Sequence, residues 1–175
     1  KTCTAVRMSP GRSPPHIMKY PIQKGEGRMN SWNREDACGS AQTDYGADPI
    51  AANVIQAARE NRNFRTAFWT GRRLQMTLME IPVHGDIGVA MHPETDQVIR
   101  VEEGRALVCM GCAANELEFR CCLCAGEAVF IPGGIWHNVL NAGSCPLKLS
   151  SCYAPPQHPH GTIHRTKADG AHEGH

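Results

Sequence analysis

Between residues 64 and 155 the chain turns at short, regular intervals, and that spacing leaves few folds open. The segments "FRTAFWTG" (64–71), "RLQMTLMEIPV" (73–83), "IGVAMH" (87–92), "QVIRVEEG" (97–104) and "RALVCMG" (105–111) are short and rich in apolar residues. So are "ELEFRCCLC" (116–124), "AVFIPG" (128–133), "HNVLNAG" (137–143) and "LKLSSCYAP" (147–155). Gly, Pro, Asn and Asp separate them, and turn signals recurring every eight to twelve residues predict an all-β sandwich or barrel. One helix precedes the strands. "NVIQAAREN" places Asn53 at an N-cap with Gln56 three residues on, a capping-box arrangement, and Asn61 and Asn63 end it.

The flanks read differently. Residues 1–49 contain Pro10, Pro14, Pro15 and Pro21 among scattered Lys and Arg, with no sustained period. They are expected to form a flexible or docking arm. Residues 50–157 form the barrel, and 158–175 a His-rich tail that Pro155 and Pro156 force to start extended. His158, His160 and His164 fit a docked segment along the barrel edge with exposed imidazoles; a second metal is the alternative reading.

Charge excludes some partners. Eighteen Lys and Arg balance 17 Asp and Glu, for a net charge of +1. Nothing there draws the chain to nucleic acid or to an anionic membrane. No run reaches the roughly 18 apolar residues of a membrane span. No apolar signal core follows the polar N-terminus. A cytoplasmic protein with a small-molecule ligand is expected. Nine cysteines, an odd number without an export signal, argue against a disulfide framework. Cys109 and Cys112 form C-x2-C, and Cys121, Cys122 and Cys124 follow a turn near 113–115. A hairpin there would bring Cys109 toward Cys121. A structural zinc on Cys109, Cys112, Cys121 and Cys124 is one reading; ordinary strand positions or an opportunistic disulfide are the others.

The chemistry concentrates in two stretches. "GEAVFIPGGIWHNVLN" (126–141) has the spacing G-x5-P-x-G-x2-H-x3-N. Gly126 allows a tight turn, "AVFI" is a buried run, and Pro132 with Gly134 interrupts the ladder. His137 then re-enters the wall with its ring inward, and Asn141 can bond backbone at the next turn. This pattern resembles the second motif of the cupin superfamily, and the resemblance covers residues 65–157. The family's first motif is G-x5-H-x-H-x3–4-E-x6-G. Aligned on Gly104, Gln97 stands at the place of its glutamate, His92 at its second histidine and Ala90 at its first, with the opening glycine one register off at Gly85. "H-P-x-x-D-Q" (92–97) and "Y-A-P-P" (153–156) are similar to a group of small bacterial single-domain cupins, which usually carry glutamate at the place of Ala90.

The resemblance implies a double-stranded β-helix, the jelly-roll barrel, with a short N-terminal helix. It also implies one divalent metal ion (Zn, Ni, Fe or Mn) on His92, Gln97 and His137, and a homodimer with part of residues 30–66 at its interface. The residues themselves bear on the metal. Ala90 and His92 lie two apart on a strand and face the same way. Two imidazoles and an amide oxygen offset none of a divalent ion's charge. Binding should then be weaker, the ion a stronger Lewis acid, and an anionic substrate admissible. Gln97 has a second reading, orienting His92 or a water. Phe68, Met76, Leu78, Ile99, Phe130 and Trp136 are candidates for the substrate lining. Glu80, Glu94 and Asp96 are candidate acid–base groups. Three functions follow: a metal-dependent isomerase or lyase acting on a sugar-like or carboxylate compound, a non-catalytic ligand-binding or structural barrel, and an iron-dependent dioxygenase.

Overall fold

A computed structural model describes residues 43–170 and the backbone of residues 17–19. The rest of the expected arm, and His172 and His175 of the tail, lie outside the described residues. Two short strands, β1 (Ile17–Lys19) and β2 (Ile50–Ala52), pair antiparallel. Helix α1 (Val54–Glu60) follows. Asn53 caps it as the sequence suggests, its side chain accepting from the Gln56 N–H at 3.1 Å. The Gln56 amide also donates to Glu60 one turn on, at 3.1 Å.

The barrel strands are β3 (Arg65–Thr70), β4 (Gln75–Ile81), β5 (Asp96–Glu103), β6 (Arg105–Gly111), β7 (Phe119–Cys124), β8 (Ala128–Ile131), β9 (Trp136–Asn141) and β10 (Leu147–Ala154). The tail adds β11 (Ile163–His164) and a one-turn helix α2 (Lys167–Gly170). One sheet has the order β11-β3-β4-β10-β5-β8 and the other β7-β6-β9. All strand pairs are antiparallel, and the fold is the expected all-β jelly roll.

The predicted strand over 87–92 is not a regular one. Gly88 takes φ +91°, a conformation L side chains avoid, and its N–H is held by the Asp86 carboxylate at 2.5 Å. The segment still lies along β9 through isolated bridges, Asp86 to Leu140 and Ala90 to His137.

Register explains where the site sits. Across β4, β10 and β5 the inward residues align in layers: Met79, Leu149 and Val101; then Thr77, Ser151 and Ile99; then Gln75, Tyr153 and Gln97. The first layer is apolar and joins Ile81, Leu147, Val129 and Ile131 against Ala106, Val108 and Val139 of the second sheet. The last layer is polar. The barrel is thus a packed apolar core at one end and a polar mouth at the other, and burial of each core side chain contributes about 1.5–3 kcal/mol. A second cluster lies outside the barrel wall, where Ala57 and Ala58 of α1 pack with Tyr45, Phe68 and Leu78.

The candidate metal site and its cavity

At the polar end a cavity of about 430 Å³ opens, a size that suits a small molecule. Its wall includes Ala90, His92, Gln97, His137 and Tyr153 from the barrel. Phe64 and Arg65 enter from the start of β3, and Gln157, His158, Pro159 and Lys167 from the tail.

His137 is held by its backbone first. It exchanges two N–H···O bonds of 2.9 Å with Ala90, so the two residues sit directly opposite with side chains on one face. Behind it, Pro132 and Gly134 form the motif's turn. Gly134 has φ +83°, and its N–H donates to the His92 carbonyl at 2.9 Å, tying the two motifs together. The His137 ring is 1 % exposed. Its Nδ1–H donates to the Ile135 carbonyl at 3.0 Å, which leaves Nε2 as the lone-pair nitrogen. Burial pushes the imidazole below its ordinary pKa, and the Ile135 bond only partly opposes this, so the ring is neutral at pH 7. The His92 ring lies 5.5 Å from the His137 ring, centroid to centroid, and 5.8 Å from Tyr153.

Gln97 is buried on β5. Its Nε2 donates to the Ser151 hydroxyl at 2.8 Å, which fixes the amide and leaves Oε1 as the end without a partner. Gln97 Oε1 and His137 Nε2 are both shut off from water and neither has a hydrogen bond. An unmet buried polar atom costs about 1–3 kcal/mol, so two at one site need an explanation. A divalent cation taking a lone pair from each would supply one. Among the described residues no three of His, Cys, Asp and Glu converge as a metal set. The third donor here is an amide oxygen. The residues present therefore fit a divalent ion, with a neutral and comparatively weak donor set.

The six apolar lining candidates lie elsewhere, and none is on the wall of this cavity. Phe68, Met76 and Leu78 face outward, into the cluster under α1. Ile99 faces inward but one layer deeper, in the apolar core. Phe130 is 73 % exposed on the outer face, because its neighbours Val129 and Ile131 take the inward positions. Trp136 precedes the inward His137 and points away by simple alternation. The candidate acid–base groups are off the wall as well. Glu80 is on the outer face, paired with Lys148 and Arg62. Glu94 is exposed in the turn after His92. Asp96 accepts from the Gly133 N–H at 2.9 Å, holding the motif loop.

The hairpin does not gather the four candidate zinc thiols. Cys121 pairs with Val108, Cys109 with Arg120 and Cys124 with Arg105. Cys121 turns inward onto the core, and Cys112 and Cys124 are exposed at opposite ends of the hairpin. These are ordinary strand and turn positions, and the described cysteines are free thiols.

Sequence reasoning missed the tail's part in the site. Gln75, fully buried at the mouth, donates to the His158 carbonyl at 2.8 Å and accepts from the His158 N–H at 2.9 Å. It straps residues 157–159 over the cavity. His158 is half-buried, its ring 5.3 Å from that of Tyr153, and His164 is buried; only His160 is exposed as the docked-tail reading expected. Lys167 reaches the wall and pairs with Asp86 at 2.6 Å. Burial raises the Asp86 pKa, but the bonds from Lys167 and Gly88 outweigh it and keep the carboxyl below its usual range.

The described geometry agrees with comparisons to known proteins. The family model "Cupin domain" matches residues 77–153. The chain is 48% identical over 126 residues to the uncharacterised protein YrkC of Bacillus subtilis, covering 72% of this chain and 68% of that one. It is 33% identical over 112 residues to the uncharacterised protein L612 of Acanthamoeba polyphaga mimivirus, covering 63% and 68%. The crystal structure of BH2720 from Bacillus halodurans superposes with a TM-score of 0.73 at 53% identity, over 74% of this chain and 98% of that one. With a jelly roll, a matching domain and relatives this similar, the chain belongs to the cupin family. Among the described residues no helix is long and apolar enough to cross a membrane.

Proposed function

We propose that this cupin binds one divalent metal ion through His92, Gln97 and His137. We further propose that it acts, as an isomerase or lyase, on a small polar molecule, sugar-like or carboxylate. The observation that carries the reading is the pair of enclosed acceptors without partners, Gln97 Oε1 and His137 Nε2, beside the His92 ring. A divalent ion on these ligands supplies Lewis acidity toward a carbonyl oxygen. The chain's own groups do the rest. Ser151 orients Gln97, and the Ile135 carbonyl fixes the His137 tautomer. Gln157, His158 and Pro159 narrow the mouth and limit water. Tyr153 and His158 are wall residues with exchangeable protons.

A non-catalytic ligand-binding barrel is the second reading. It is favoured by one observation: Glu80, Glu94 and Asp96 are all absent from the cavity wall. A thermal-shift screen of aldoses, ketoses and small carboxylic acids, run with and without chelator, separates the readings when hits are followed by proton NMR. New product resonances that vanish with chelator support the enzyme. Stabilisation without turnover supports the binding module.

A further inference from the structure

The cavity has a charge imbalance that the metal ligands do not explain. Among the described residues no Asp or Glu lies on its wall. Two cationic side chains do, Arg65 and Lys167. Lys167 is already neutralised by Asp86 at 2.6 Å. Arg65 is not. Its Cζ sits 5.4 Å from the Phe64 ring centroid, and its Nη1 is 3.4 Å from His164 Nδ1. Its Nε–H is enclosed without an acceptor, and among the described residues it has no carboxylate partner. A guanidinium carries five donors in a planar fork suited to a carboxylate, and an aromatic face beside it lowers its cost of desolvation. A neutral metal set would add two more uncompensated positive charges to the same space.

The remaining wall chooses among anions and neutral ligands. Phe64, Ile87, Val89 and Pro159 are apolar. A sugar needs acceptors for its hydroxyl protons, and carboxylate side chains, the best of them, are missing here. We propose that the cavity takes a small organic carboxylate with an apolar body, its charged end on Arg65 and its body against Phe64, Ile87 and Val89. The substrate class so named rests on the metal site proposed above only for its second point of attachment; the Arg65 contact is independent of it.

The test is calorimetric titration of the untagged protein in low-salt, chloride-free buffer, once loaded with zinc and once stripped by chelator. The probes are benzoate and isobutyrate, their neutral amides, and glucose. Each acid should bind at least about tenfold more tightly than its amide, and Arg65→Gln should remove that preference. Arg65→Lys, which keeps the charge, should recover part of it. Both variants should retain zinc, which shows that the fold and the metal ligands survive. Amide or glucose binding equal to the acid, an unchanged affinity in Arg65→Gln, or no binding of either acid at millimolar concentration overturns the proposal. Acid binding that depends on Arg65 but is indifferent to zinc and to His137→Ala supports the anion site and counts against the metal reading. Zinc bound at His92 and His137 without acid preference does the reverse.

Discussion

Replacing Ala90 with glutamate should tighten metal binding by an amount the geometry lets one work out. Ala90 faces His137 across a pair of 2.9 Å backbone bonds and lies on the cavity wall, so the new carboxylate enters the same space as the two imidazoles. The wild-type donors carry no charge. A unit charge pair about 4 Å apart at an effective dielectric near 20 is worth ~4 kcal/mol, and a divalent ion doubles it. Taking the carboxylate from water into the cavity returns several kcal/mol of that gain. A net improvement of about 2 kcal/mol, or about thirtyfold in affinity, is the expected result. Competition calorimetry with zinc against a chelator of known affinity reads it directly. Equal or weaker binding in Ala90→Glu would refute the argument, because residue 90 would then not face the ligands.

Four further outcomes follow. Asp44 accepts from the Gly46 and Thr70 N–H groups, the Thr70 hydroxyl and the Gly161 N–H, joining β3 to the tail. Burial raises its pKa, but these bonds and the nearby His160 outweigh it, so the folded pKa is depressed. Its contribution is therefore whole above the unfolded carboxylate range and lost as pH falls through the lower folded value. Asp44→Asn should cost about 1–3 kcal/mol at pH 7 by urea unfolding, since its amide cannot accept from Thr70 and Gly161 at once; a cost that does not shrink in acid counts against this. Gln75→Ala should release the strap and speed amide exchange at residues 157–160 more than elsewhere, and uniform exchange would show that Gln75 does not hold it. Exposed Cys122 and Cys124 should alkylate before buried Cys109, and changing all three to serine should leave zinc content unchanged; a loss of zinc would reinstate the hairpin site. A homodimer with part of residues 30–66 at its interface is expected in sedimentation velocity, and a monomer at micromolar concentration removes it.

The fold was legible because turn residues and apolar runs impose strand length whatever the tertiary context. His137, Gly134 and Asn141 were legible because their spacing follows from a turn and an alternation; Asn141 indeed bonds the Ile81 and Cys145 carbonyls. The cavity lining was not. Strand β4 is buried on both faces, Met79 and Ile81 against the core and Leu78 against α1, so "QMTLMEI" shows no period from which to choose a side. The larger apolar residues drew the choice outward, while the polar Gln75 and Thr77 face in. Arg65 and Lys167 line one cavity only because the tail returns along β3, a strand pairing that no local pattern encodes.

The central claim is that His92, Gln97 and His137 hold a metal ion despite lacking a charged ligand. Elemental analysis of untagged protein, after loading with zinc, nickel, iron or manganese and desalting, tests it most directly. The account requires about one ion per chain in the wild type, a reduced amount in Gln97→Ala, and none in His92→Ala or His137→Ala while all remain folded. A metal-free wild type, or histidine variants that load as fully as it does, would contradict it.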